Sequence, residues 1–490
     1  METSGQAMTI LAEKSVGYTG DDGLIRGTFA DSGIDPAQVE GFLADVEAAG
    51  LELHSLMVHH NGLLGFEIFK WPYAVDKRQI MHSVAKSFTS TAIGLAISEG
   101  YFGLDDAVIS FFPDDLPETI DAHLAAMTVG DLLTMQSGHA GEVSGAYWRS
   151  LKTSWVREFF NIPVVHEPGT KHVYSSAVSY MLAAILYKTT GQTLHEFLKP
   201  RVLEPLGITG ETWDIGTDGF NPGGNGLTCT VPDLLKLGIL YANDGVWNGQ
   251  RLLPEGWVAQ STRQHVEQYG QHWVVYDNGA YASLGQFVQM MLVFPEQKGV
   301  IALTAAIDGS ILLLPHIFSH FPAAFQDAHP SPVAEARLAD LVKSWAQPAP
   351  LSQRPFDCLK DARTVFEMEA NALGVRQIAF DREGDRLTFA LTNETGTFEI
   401  RNRINRWHRD NGSMPGRELH HGYEFSGTPT QAAAEAIDAH TLRMTWCFEE
   451  TAFRDTVVCA FDGDRMTMDR SVNMNSSDRR WPTLTGRRLR

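Results

Sequence analysis

Apolar side chains at Phe88, Ala92, Ile93, Ala96 and Ile97 recur at helical spacing, which predicts a helix running from about Ser83 to Gly100. Upstream, residues 36–49 read as a helix with Pro36 in its first turn after Asp35. Two apolar runs, 53–58 and 63–69, flank Asn61-Gly62, a dipeptide that tolerates the positive φ angles of a two-residue hairpin turn. Strand patterns return at 286–294 and 299–305 across a Glu296–Gly299 turn, and helices are expected at 314–326 and 332–346. From about 105 to 260 the pattern is mostly helical, with connections rich in glycine and proline. Strands at both ends with helices between them imply one sheet built from the two ends of a domain, with a helical lobe inserted: an α+β core over 1–346. A proline-rich linker follows at 347–355. From 356 to 490 the period changes to two, as in Arg386–Leu391 and Thr441–Trp446. That segment reads as a separate all-β domain, for which a small barrel is one architecture.

At 490 residues the chain is long enough for two or three domains, and 43% hydrophobic residues supply ample core. Its formal net charge of -20 repels phosphate backbones, so nucleic acid is not an expected partner. Cys229, Cys358, Cys447 and Cys459 are sparse and far apart, which fits a reducing compartment; Cys447 and Cys459 could face each other on adjacent strands. The start, Met1–Gly5, lacks a basic segment followed by an apolar one, and no run approaches 18 uncharged apolar residues. A cytoplasmic protein without a membrane span is expected, and a homo-oligomer is compatible with these properties.

Candidate chemistry begins at Ser83-Val84-Ala85-Lys86. At i and i+3 of a first helical turn, the serine and lysine share a face. A hydroxyl is a weak nucleophile until a base takes its proton, and a lysine held by burial and a helix N-terminus can be that base. The competing reading is a solvated lysine beside a capping serine. A second segment, Pro168 to Ser176, places Tyr174 and Ser176 just before another apolar run. Other constellations are weaker. No Gly-x-Ser-x-Gly or His-Glu-x-x-His occurs; the nearest approach to the former is Tyr281-Ala282-Ser283-Leu284-Gly285. His316 and His320, spaced i and i+4, read as ordinary helix residues, and His59-His60 and His420-His421 as surface residues beside turns. His82 points off the Ser83/Lys86 face. No metal or organic cofactor is expected.

With Ser83, Lys86 and Tyr174 together, the chain resembles the serine β-lactamase and penicillin-binding-protein superfamily, in its class C-like esterase, amidase and peptidase branch. Gly100–Asp106, Met127–Gly138, Glu204–Gly207, Asn225–Leu227 and Pro232–Lys236 also match that branch, so the likeness extends from about Ser55 to Ala305. The resemblance implies a β-lactamase/transpeptidase-like fold and a Ser83 nucleophile. Lys86 and Tyr174 would share the proton, and Ser176 would stand where the family has asparagine. It also implies an oxyanion site from the N–H groups of Ser83 and Ser283. His139, Trp148, Trp155 and Tyr281 would then shape a substrate pocket. The family's Lys-Thr-Gly strand falls at Ala280-Tyr281-Ala282, without the lysine, and Val288 stands where the branch often has a second glycine. A free substrate carboxylate would lack its usual cation there. The implied activity is hydrolysis of an ester or amide in a small molecule or short peptide. Carboxylesterase and amidase or peptidase remain alternatives, as does a penicillin-recognising sensor without turnover.

Overall fold

The computed structural model describes residues 22–144, 147–148, 151–326, 329–360 and 362–489, so the Met1–Gly5 start lies outside the described residues. The chain divides into two compact units. One takes the chain up to Phe69, then Val75–Ala305 and Gly309–Lys343; the other takes Lys70–Ala74, Ala306–Asp308 and Ser344–Arg490.

In the first unit β1 (Glu52–His60) and β2 (Leu63–Phe69) form the hairpin that Asn61-Gly62 predicts. Three short strands of the lobe follow: β3 (Arg78–Ile80), β4 (Thr212–Trp213) and β5 (Leu227–Thr230), in the order β3-β5-β4. A ribbon of β6 (Val246–Trp247) and β7 (Gln250–Arg251) comes next. The chain then returns to the main sheet through β8 (Val274–Val275), β9 (Tyr281–Gly285), β10 (Gln289–Phe294) and β11 (Gly299–Ala306). The six-stranded order is β2-β1-β11-β10-β9-β8, so the two ends of the unit do meet in one sheet. Ser55 and Thr304 join β1 to β11 through a buried hydroxyl pair at 2.6 Å.

Both β10 and β11 are buried along their whole length, which is why they read as continuous apolar runs rather than alternations. The strand expected at 286–294 starts later, at Gln289. Phe287 and Val288 have φ of 60° and 65° and form the turn from β9 into β10. The helix at Pro36–Ala48 is capped by the Asp35 side chain and packs on the Leu314–Ala324 helix through Phe42 and Phe321.

Polar residues beside turns depart from expectation, because they satisfy groups inside the fold. His59, His60 and His420 are buried, not on the surface. His60 contacts the Ser32 and Gln297 carbonyls, and His420 contacts Asp455 at 2.8 Å. His316 and His320 both face Asp45. Cys447 opposes Arg454 and Cys459 opposes Leu442, so these two thiols do not face each other, and none of the four cysteines is in a disulfide.

The second unit contains a closed nine-stranded barrel over residues 363–488. Its strands are β12 (Arg363–Met368), β13 (Gln377–Glu383), β14 (Arg386–Thr392), β15 (Thr397–Ile404), β17 (Phe425–Ala436), β18 (Thr441–Phe448), β19 (Arg454–Asp462), β20 (Arg465–Val472) and β21 (Leu484–Arg488); β16 (His408–Met414) pairs on the side of β17. A short parallel pairing of Arg403-Ile404 with Ala433-Ala434 closes the ring. Closure covers the ends of β15 and β17, while the rest of β17 is paired by β16. Phe366, Phe380, Phe389, Trp446 and Phe461 fill the interior. Among the described residues no helix is long and apolar enough to cross a membrane.

Candidate active site

Ser83 sits in a single 3₁₀ turn, His82–Val84, that runs directly into the Ala85–Ser98 helix. It is half-buried, whereas every other residue from Met81 to Ala96 is buried. The helix is tied down along its length: Ser87 donates to His272 O, Thr89 to Gly223 O and Ser90 to Gln271 O. Just before the serine, His82 has φ of 49°, a conformation that a side chain with a Cβ adopts at a cost of order 1 kcal/mol or more. The backbone of β9 holds this turn in place. A Cβ on Gly285 would lie 2.3 Å from Met81 O, so only glycine allows the strand so close. Ser283 donates its hydroxyl to Val84 O at 3.3 Å.

Lys86 is only 2% exposed, and its ammonium donates to three oxygens: Ser83 Oγ at 3.0 Å, Ser176 Oγ at 3.0 Å and Gly224 O at 2.9 Å. A buried ammonium with all three N–H groups placed is a fixed charge rather than a solvated one. Tyr174 is 42% exposed, and its ring lies over Lys86 Nζ at 4.9 Å from the centroid. Gly224 reaches the lysine because Gly223, with φ of 68°, turns the loop where a Cβ would meet Ser179 O at 2.4 Å.

Two further groups frame this cluster. Glu142 accepts from Ser144 N, Ser144 Oγ, Ser175 Oγ and Ser176 N, at 2.7, 2.6, 3.2 and 2.9 Å. Burial works against its charge, but the hydrogen bonds from Ser144 and Ser176 and the nearby Lys86 outweigh it and hold the carboxyl below its usual range. His272 is buried: Nδ1 donates to Leu133 O at 2.9 Å, so Nε2 accepts from Ser179 Oγ at 2.9 Å. Burial first, and the Lys86 charge second, push this imidazole down to about 3 despite the Leu133 bond, and it stays neutral.

Ser83, Lys86, Tyr174 and Ser176 are therefore brought together, with Ser283 against the His82–Val84 turn. Trp148 and Trp155 join Ser144, Tyr180, Pro222 and Asn225 in a small pocket that Ser176 also lines. His139 and Tyr281 are not brought to it. His139 is fully buried against Phe159, with Nδ1 on Ser137 Oγ, and Tyr281 packs edge-on to Trp273 in the core. Glu142, Gly224 and His272 are additions that the motifs did not supply. The Gly223-Gly224 pair signals a tight turn, whereas Glu142 and His272 carry no local signal. Among the described residues no group of histidine, cysteine and carboxylate side chains could hold a metal. A hydroxyl bonded to a fixed lysine, beside a tyrosine with solvent access, is an arrangement suited to nucleophilic attack and proton exchange.

The Beta-lactamase family model matches residues 55–312. A lovastatin esterase from Penicillium rubens is 27% identical over 205 residues, which is 37% of this chain and 51% of the esterase. The 6-aminohexanoate-dimer hydrolase of Paenarthrobacter ureafaciens is 25% identical over 205 residues, 39% of this chain and 52% of that hydrolase. The chain thus spans about half the length of these curated relatives. A crystal structure from Bacteroides dorei DSM 17855, assigned as a β-lactamase, superposes with a TM-score of 0.50 at 16% identity, over 59% of this chain and 99% of that one.

Proposed function

From the premise that this chain belongs to the β-lactamase family, we propose that it is a serine hydrolase that cleaves an ester or amide through an acyl-enzyme on Ser83. The observation that carries the reading is Lys86 Nζ, held 3.0 Å from both Ser83 Oγ and Ser176 Oγ and facing the Tyr174 ring. In the reactive form the Lys86–Tyr174 pair has given one proton to solvent; Ser83 Oγ then attacks the carbonyl carbon as its own proton passes into that pair. Tyr174, the member with solvent access, returns that proton to the leaving oxygen or nitrogen. The N–H groups of Ser83 and Ser283 hold the oxyanion, and loss of one such donor costs roughly 3 kcal/mol in other hydrolases. Water activated by the same pair then releases the acid.

The substrate class follows from charge. At Ala280, where a strand lysine would bind a free carboxylate, the side chain is apolar and 1% exposed. Substrates without a free carboxylate beside the scissile bond are therefore favoured, with Trp148 and Trp155 offering apolar surface beside Ser176. A lovastatin esterase and a 6-aminohexanoate-dimer hydrolase among the relatives support ester or amide hydrolysis as the reaction class. A penicillin sensor without turnover is the second reading, and the exposed Tyr174 beside the nucleophile speaks against it.

The test is a fluorophosphonate probe with intact-mass analysis, followed by a panel of p-nitrophenyl esters, capped amides and benzylpenicillin. The probe is expected to add once, at Ser83, and Ser83→Ala to lower kcat/KM by about 10⁴-fold or more while keeping the fold. Neutral esters or capped amides should turn over faster than benzylpenicillin. Wild-type rates in the alanine variant would end the assignment.

A further inference from the structure

Every oxygen that Lys86 touches belongs to a neutral group: two hydroxyls and one peptide carbonyl. A buried ammonium without an anion nearby is costly, so a counter-charge is required within Coulombic reach. The ionisable groups facing it are Tyr174, His272 and Glu142, with Tyr269 behind Tyr174. His272 is neutral with both ring nitrogens committed. Among the described residues Glu142 is the carboxylate within Coulombic reach of Lys86. It does not touch Lys86; Ser176 stands between them, its N–H on Glu142 Oε2 and its Oγ on Lys86 Nζ.

The same carboxylate sits at the start of the Ser176–Thr190 helix, whose cap is Ser175 and whose preceding residue is Tyr174. A negative charge at that end is favoured by the helix dipole and by the free N–H groups there. Glu142 therefore holds the segment that presents both Tyr174 and Ser176 to the lysine. We propose that Glu142 is a positioning residue of the Ser83 centre: through Ser176 it supplies the counter-charge to Lys86 and fixes the Tyr174–Ser176 segment against it. This rests on Ser83 being the nucleophile.

Glu142→Gln keeps the size and removes the charge; Glu142→Asp keeps the charge and shortens the reach. The rate of Ser83 labelling by a fluorophosphonate is followed from pH 5 to pH 10 in the full-length protein, with near-ultraviolet circular dichroism as the check on folding. For Glu142→Gln the labelling rate should fall about tenfold or more near neutrality. Its pH profile should move to lower pH by about one unit, because a cation that loses its partner gives up its proton more readily. Glu142→Asp should keep the wild-type profile with a smaller loss in rate. A Glu142→Gln profile that superposes on wild type, whatever its amplitude, overturns the proposal by reducing Glu142 to a structural cap. If the glutamine variant does not fold, the aspartate variant decides: a displaced profile despite its retained charge overturns the proposal, and an unmoved one supports it. Failure of the parent reading looks different, since wild-type protein would then not label at Ser83 at all.

Discussion

Three buried histidines, His59, His139 and His272, set how this protein responds to acid. Burial is the largest cause in each case, and it lowers the imidazoles to about 4, 4 and 3 respectively. An unfolded histidine titrates near 6.5. Above that pH both states are neutral and the histidines contribute no pH dependence. As the pH falls below about 6.5 the unfolded chain binds protons that the folded chain refuses, so stability is lost progressively down to about 4, and to about 3 for His272. At pH 5 each contributes a loss on the order of 2 kcal/mol, and easing of the -20 net charge works in the opposite direction. In 0.3 M salt, where that repulsion is screened, the urea midpoint should fall between pH 7 and pH 5. A midpoint flat over that range would refute the assignment of these histidines as neutral in the core. Residues of this kind mark the limit of what is legible in the chain. Ser83 and Lys86 are readable because one helical turn forces them together at i and i+3. Their joining to Ser176, Gly224 and Glu142 depends on separations of 138 residues and less that no local pattern encodes. His59 reads as a surface residue because it stands beside a turn, and only the packed fold shows that it is covered.

At the scale of elements, the Ala85–Ser98 helix is where packing most constrains sequence. Gly94 lies in its middle, and a Cβ there would come within 2.2 Å of Cε2 of Trp257, itself a buried ring. Alanine would favour the helix by about 1 kcal/mol on propensity alone. Overpacking against a ring that cannot move away costs about 1–3 kcal/mol, so the contact should prevail. Gly94→Ala is expected to lower Tm by several degrees and to slow labelling at Ser83, because the helix that carries it must shift. A higher Tm would show that Trp257 yields. The helix itself is legible from Phe88, Ala92, Ile93, Ala96 and Ile97; its need for a glycine at 94 is not, since the demand comes from a residue 163 positions away in the chain. Strands tell the same story. The alternation in β14, β18, β19 and β20 is plain in the sequence, with buried residues at every second position. Closure of the barrel is not, because it rests on two residue pairs between β15 and β17. Phe287-Val288 reads as strand because both residues are apolar, yet each adopts a positive φ and forms a turn.

For the whole molecule, the informative fact is that the chain crosses between its two compact units more than once. Lys70–Ala74, directly after β2, and Ala306–Asp308, at the end of β11, are counted with the barrel. Within that unit Trp71 packs on Trp407 at 4.6 Å and donates its N–H to Trp345 O, Tyr73 donates to Thr451 O at 3.1 Å, and Arg479 pairs with Asp308. A single linker near residue 347, as the proline pattern suggests, accounts for only one of these crossings. The sheet order nevertheless closes without the barrel: β2-β1-β11-β10-β9-β8 uses no residue beyond Ala306. A chain ending at Pro348 should therefore keep the six-stranded sheet, the inserted lobe and the Ser83 turn. It should also remove Trp407 and Thr451, which Trp71 and Tyr73 contact, and so expose aromatic surface at 71–73. The expected result is a folded, less stable protein with a native near-ultraviolet spectrum, a lower Tm and retained labelling at Ser83. Limited proteolysis should cut it within 70–74, where the full-length chain resists. A molten spectrum for the shortened chain would show instead that the two units fold only together, with the crossings at 70–74 and 306–308 as the reason.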